Sequence, residues 1–279
     1  MRLSIRHTSR YRFDQPVVFG LQRLRLTPKA SGGQAVASWS IMCTGATQEL
    51  SYQDSHHNEV TLVSVNEGAR EVVITCEGQV DTRDESGVIG WHSGYMPLWS
   101  FLRQTPLTRP GPAMTALADA ARGRDTGDQV ALLHDLSALV RERVVWRKGV
   151  TTTRTTGEEA CAGGAGVCQD QAHVFIGVAR ALSIPARYVS GYLLMTDRVD
   201  QEATHGWAEA FIDGLGWVGF DIANAISPDA RYVRLATGGD YRDAAPVLGV
   251  SYGAVTDEAE VAVRVERAMR AQQQKEQQQ

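Results

Sequence analysis

The spacing of apolar residues changes period along this chain, and the change falls near Pro112. Before it, RLSIRHTSRYRF, EVTLVSVNE and REVVITCEGQVDT carry Val, Ile, Thr and aromatics in short runs, several alternating with period two. That period puts one face of a pleated strand toward a core and the other toward water. PKASGGQ and NEGAR separate the runs as turns. Residues 1–105 therefore read as an antiparallel, sandwich-like β domain. The Gly- and Pro-rich stretch RDESGVIGWHSGYMPLWSFLRQTPLTRPGP reads as the connector that follows.

After Pro112 the spacing becomes helical, in AMTALADAARG and in DQVALLHDLSALVRERVVW, where Val130, Leu133, Leu136, Val140 and Val144 fall largely on one face. A third helix is expected from about Cys168 to Leu182, stopped ahead of Pro185. RYVSGYLLM, HGWAEAFI and GWVGFDIA follow as strands, the last two joined by DGLG as a hairpin. The chain is thus expected to be α+β, with a core over 106–268 of helices packed on an antiparallel sheet. The Gln-rich stretch 269–279 is expected to be disordered.

Of the 279 residues, 43% are hydrophobic and 22% charged, enough apolar material for a sizeable core. The net charge of −4 argues against nucleic acid and anionic membrane as partners. The N-terminus MRLSIRHTSRYRF lacks the apolar run of a secretory signal, and a cytoplasmic location is expected. None of Cys43, Cys76, Cys161 and Cys168 sits in a CxxC pair, so no zinc site is expected.

Cys168 follows the small-residue run AGGAGV and opens the third helix. A thiol there feels exposed N–H groups and the positive end of the macrodipole, both of which favour thiolate. Gly163, Gly164 and Gly166 allow close backbone approach by a substrate. A lone Cys is equally at home in a core. His205 could take the thiol proton and protonate a leaving amine, and Asp221 could hold the imidazole. Each also has an ordinary role at a strand end. His173 lies five residues beyond Cys168, about 140° around the helix, and reads as a packing residue. Arg180 and Arg187 read as ion-pair partners.

Read as a four-residue loop, DGLG pairs Ile212 with Trp217 and sets Asp221 opposite Ala208 rather than His205. A bulge near Thr204 to Ala208 is then expected, to bring the two side chains together.

GVCQDQAHVFIGVARALSIPARYVSGYL resembles the core motif of bacterial transglutaminase-like proteins, and HGWAEAFIDGLGWVGFDIAN resembles their His and Asp segments. RLSIRHTSRYRFDQPV, LQRLRLTPK, VWRKGVTTT and YVRLATGGDYRDAAPVLGVSYG are similar to other parts of the same family. The resemblance implies a papain-like core with a catalytic triad, and Cys168, His205 and Asp221 stand at its positions. Family members usually have His-Ala-Trp where this chain has His205-Gly206-Trp207, and Asp-Pro-Thr-Asn where it has Asp221-Ile222-Ala223-Asn224. The aromatic of the VWRKGVT block is commonly Tyr, and here it is Trp146.

The implied chemistry is acyl transfer on a glutamine carboxamide or peptide bond of a peptide or protein substrate, with hydrolysis favoured over cross-linking. The backbone N–H of Cys168 and the indole of Trp146 are candidate oxyanion donors, and Gln169 a candidate substrate contact. A buried core is the ordinary place for a Trp. Asp170 reads as a helix N-terminal charge. A silent peptide-binding module is one rival. A metal enzyme built on Asp54, His56 and His57 is another, although adjacent histidines on a strand diverge. No D-x-D-x-D-G calcium loop is present, and neither metal nor cofactor is expected.

Overall fold

A computed structural model describes residues 1–268; the stretch expected to be a disordered tail, 269–279, lies outside the described residues. Two antiparallel sheets fill the N-terminal part. In one, the strand Arg2–Phe13 runs between Glu71–Thr82 and Thr256–Arg267, with Gln34–Thr44 beyond Glu71–Thr82. In the other, Phe19–Leu24 lies between Glu59–Val65 and Val247–Tyr252. Alternation does the work the sequence implied. Leu3 and Ile5 of the first sheet and Leu24, Val63 and Val65 of the second enter one shared core. At about 25 cal/mol per Å² of apolar surface, this burial is the main force joining the sheets.

The expected division at residue 105 is crossed in both directions. The last two strands, Val247–Tyr252 and Thr256–Arg267, return to the N-terminal sheets. There they cover edges of Phe19–Leu24 and Arg2–Phe13 that would otherwise be open. In the other direction, the expected connector supplies the short strand Val88–Gly90, which pairs with Gly216–Phe220 at the edge of the core sheet. It also supplies the turn Leu98–Leu102, which buries Phe101 against Trp217.

The core sheet runs in the order Tyr232–Gly238, Ala186–Leu193, His205–Ile212, Gly216–Phe220, Val88–Gly90. The helix Cys168–Ala181 packs on one face, burying Ala172, Phe175, Ile176 and Ala179 against Ala208, Ala210 and Phe220. Gln129–Arg143 and Pro112–Arg122 close over it through Leu133, Leu136, Val140, Met114 and Leu117. Cys168–Ala181 stops where Ser183 takes φ 64° ahead of Pro185.

The hairpin corrects an expectation. Its loop is three residues, Asp213–Leu215, and Ile212 pairs with Gly216 instead of Trp217. Gly216 adopts φ +83°, and a Cβ on it would lie 2.2 Å from the Gly90 carbonyl oxygen. Only glycine tolerates both conditions. The ladder runs from Ile212↔Gly216 to Ala208↔Phe220 without the bulge expected near Thr204 to Ala208.

Candidate active site

The one-residue change in loop length flips every downstream side chain to the other face of the sheet. With Ala208 opposite Phe220, Asp221 continues the strand at the level of Trp207. His205 and Trp207 share a face, so Asp221 becomes a diagonal neighbour of His205, within side-chain reach and without distortion. The His205 Nε2 to Asp221 Oδ2 distance is 2.6 Å.

Asp221 is buried and heavily bonded. Its Oδ2 also accepts from the Tyr232 hydroxyl at 2.6 Å and from Asn224 Nδ2 at 2.7 Å, and Oδ1 accepts from the Asn224 N–H at 3.2 Å. Burial alone would raise its pKa. The His205 charge and these three donors outweigh burial and hold the carboxyl below its usual range.

With Nε2 committed to Asp221, His205 lies near enough to Cys168 for the two groups to act on each other's protonation. Cys168 is the first residue of its helix and is half-buried, neither sealed in the core nor fully exposed. Burial would raise its pKa. The nearby His205, through its positive charge first, brings it below the ordinary thiol value. Burial likewise pulls His205 down, but the Cys168 thiolate and Asp221 raise it to about 10. Each charge favours the other, so both shifts act toward thiolate beside imidazolium.

Two local features seat the sulfur. Asp170 Oδ2 accepts from the Val167 N–H at 2.7 Å and from the Thr151 hydroxyl at 2.7 Å, which ties down the helix start as Asp170's expected structural role requires. A Cβ on Gly166 would lie 2.7 Å from that same oxygen, so the residue two before Cys168 has no room for a side chain. The His-Gly-Trp departure also has a cause. A Cβ on Gly206 would lie 2.0 Å from the Tyr188 hydroxyl, which fills the space that an alanine methyl takes in the usual family pattern.

Trp146 is 57% exposed, which overturns the ordinary expectation of a core Trp. Its backbone pairs with Gly166, close in sequence to Cys168. With Arg141, Glu142, Gln171, Ala223 and Ala225 it lines a cleft of about 560 Å³. Gln169 lies half-buried on the first turn of the helix. His173 is buried and accepts the Tyr241 N–H at Nε2, a packing role. Arg187 pairs with Glu209 as expected. Arg180 instead donates to the carbonyl oxygens of Ala186 and Gly239 and to the Thr108 hydroxyl.

The alternative metal set disperses. Asp54 is taken by Arg25 and Asn58, His56 lies by Asp243, and His57 packs at a tilt against Tyr95. Among the described residues, no group of three His, Cys, Asp or Glu side chains is placed to hold a metal. Sequence reasoning missed Tyr232, Asn224, Gly206 and Tyr188. Asn224, three residues after Asp221, carried a readable turn signal. Tyr232 and Tyr188 meet the site only through tertiary pairing.

The chain has matches among known proteins in both its parts. Residues 3–81 match the model of the bacterial transglutaminase-like N-terminal region, and residues 115–222 match the transglutaminase-like superfamily model. An uncharacterized protein of Mycobacterium leprae is 26% identical over 95% of this chain and 99% of its own length. An uncharacterized protein of Mycobacterium tuberculosis is 28% identical over 90% of this chain and 88% of its own. The crystal structure of a candidate cysteine protease from Cytophaga hutchinsonii shares the fold, with a TM-score of 0.73 at 20% identity, over 97% of this chain and 93% of that one.

Proposed function

Because this chain belongs to the bacterial transglutaminase-like proteins, we propose that it is a cysteine enzyme acting on peptide or glutamine carboxamide bonds, with Cys168, His205 and Asp221 as its triad. The observation that carries the proposal is the buried His205–Asp221 pair, with His205 acting on the Cys168 thiol at the helix start so that the thiol is held low and the imidazole high.

The Cys168 thiolate attacks the carbonyl carbon, and the carbonyl pair moves onto oxygen. The Cys168 backbone N–H is placed to meet that charge, with the Trp146 indole as a second donor. His205 gives its proton to the departing nitrogen, which leaves as ammonia or an amine, and a thioester remains. Neutral His205 then takes a proton from water as the water oxygen attacks the thioester. Thiolate and imidazolium are restored. Asp221 stays ionised throughout and stabilises the imidazolium.

Hydrolysis is the favoured outcome, since a half-buried sulfur gives water access to the acyl group. The cleft lined by Trp146 and Gln171, which Cys168, His205 and Asp221 do not themselves line, is the proposed seat of the peptide, and Gln169 is a proposed contact. A cytoplasmic setting is part of the proposal; among the described residues, no helix is long and apolar enough to cross a membrane.

Incubation with a Gln-containing peptide and a primary amine, followed by mass spectrometry, tests the chemistry. Two fragments mark peptidase action, a gain of about one dalton marks deamidation, and loss of ammonia with gain of the amine marks transfer. Cys168→Ala should lower turnover at least ~10³-fold while far-UV circular dichroism stays unchanged. Full activity in that variant would overturn the proposal.

A further inference from the structure

A second pocket, of about 450 Å³, opens between the core sheet and the N-terminal strands, and it does not include the triad. Its walls include Lys29, Arg187, Arg234, His57, Trp217 and Trp91. Arg187 and Arg234 are only 9% and 7% exposed, and Glu209 behind them is fully buried. Glu209 accepts from Arg187 Nε at 2.7 Å and from Arg234 Nε and Nη2 at 2.6 and 3.0 Å. One carboxylate therefore faces two guanidinium groups, and one positive charge is left over.

Lys29 lines the same pocket without adding to the excess. Its amino group gives its N–H groups to the His56 carbonyl, the Asn58 amide oxygen and the Thr237 hydroxyl, none of them charged. Burial, then the two arginines, push it down to about 6, so the amine is mostly neutral at pH 7 and the leftover charge rests on the arginines. The acidic groups nearby are otherwise engaged. Glu59 on the rim accepts from Gln53, Asp54 holds Arg25, and Asp243 lies 3.7 Å from His56. Buried positive charge without a counter-charge is costly. The guanidinium of Arg187 lies 3.9 Å over the Trp217 ring, which fixes its plane. Among the described residues its hydrogen bonds use Nε alone, so both Nη atoms are left to a ligand.

We propose that this pocket is an anion-binding site for a small organic acid whose carboxylate or phosphate group is received by Arg187 and Arg234. The Nη pair of Arg187 matches the paired oxygens of either group, and Arg234, whose Nε and Nη2 hold Glu209, adds its remaining Nη1. Trp91 is 72% exposed on the rim, and Tyr95, 84% exposed, packs at a tilt against the lining residue His57. Aromatic faces of this kind suit a ring-bearing body such as a sugar acid or sugar phosphate. The site is separate from the proposed acyl-transfer chemistry and does not depend on it.

Isothermal titration of the full chain with inorganic phosphate, glucose 6-phosphate, glucuronate and neutral glucose, at constant ionic strength, tests the site. At least one acid should bind and glucose should not; the stronger of glucose 6-phosphate and glucuronate identifies the acidic group. Arg187→Gln should weaken binding at least tenfold. Glu209→Gln should tighten it about threefold or more, because it removes the internal competitor for the same donors. Should either variant fail to fold, protection of wild-type Arg187 from phenylglyoxal by the same acid, read by peptide mass, answers instead. No binding of any acid up to about 50 mM, glucose binding as well as the acids, unchanged affinity in Glu209→Gln, or no protection of Arg187 would each overturn the proposal.

Discussion

Two ends of one strand carry buried charge in opposite ways. At His205 every partner can change its protonation: a thiol brought down, an imidazole brought up, and a carboxylate that ties them together. Four residues along the same face, Glu209 sits between two arginines, its own pKa pushed down to about 2 by those guanidinium groups despite burial. Burial brings Arg187 down only to about 10, so it stays charged at neutral pH. The first end is built to move a proton, and the second to hold fixed charge. Both depend on the period of two that places His205 and Glu209 on the sheet face away from the Cys168–Ala181 helix.

If that contrast holds, equal loss of one charge has different consequences at the two ends. Asp221→Asn should lower turnover by about 10²- to 10⁴-fold, because the imidazolium loses its counter-charge. It should also bring the alkaline limb of the pH–rate profile below its wild-type place near pH 10, since Asp221 helps raise His205. Kinetics across pH 6 to 11 would check both, and an unmoved limb would remove Asp221 from the account.

Glu209→Gln should act on stability instead, at roughly 3–5 kcal/mol, because it strands two buried guanidinium groups. Denaturant unfolding at pH 7 measures this. In the wild type, a carboxyl lowered from 4.5 to about 2 contributes stability that is complete above the higher value and fades as pH falls toward the lower. The variant should lack that acid-side slope.

Tyr232→Phe sharpens the comparison on a smaller scale. It removes one hydroxyl from Asp221 Oδ2 and leaves His205 and Asn224 in place. A hydrogen bond to a charged group is worth about 1.5 kcal/mol at the low end, so roughly a tenfold loss of turnover is expected. A change in KM alone would assign Tyr232 to substrate binding.

Much of this architecture was legible in the sequence, because periodicity reports which face of an element is buried. The helix from Cys168 and the three core strands could be read from spacing, whereas the residues of the proposed triad stood out only through the family resemblance, since each is at home at a strand end or in a core. The register of the hairpin could not be read from spacing. DGLG reads as four loop residues, yet Gly216 joins the ladder because its backbone is held against Gly90, on a strand drawn from what looked like a connector. A single such contact decides which face Asp221 occupies. The return of 247–267 to the N-terminal sheets was hidden for a similar reason: an edge strand's pattern does not say which edge it covers. Glu209 and Arg234 were invisible as a site because each looks like an ordinary strand residue until the sheet sets them side by side.

The ionised sulfur is the claim on which the rest stands, and its rate of alkylation reports it most directly. Iodoacetamide labelling of Cys168, Cys43 and Cys76, followed by peptide mass across pH 4 to 10, separates the thiols. Cys168 should react fastest at neutral pH, with a midpoint below that of an ordinary thiol, and His205→Ala should move that midpoint up. A Cys168 that labels no faster than Cys43, with a midpoint unaffected by His205→Ala, would contradict the account.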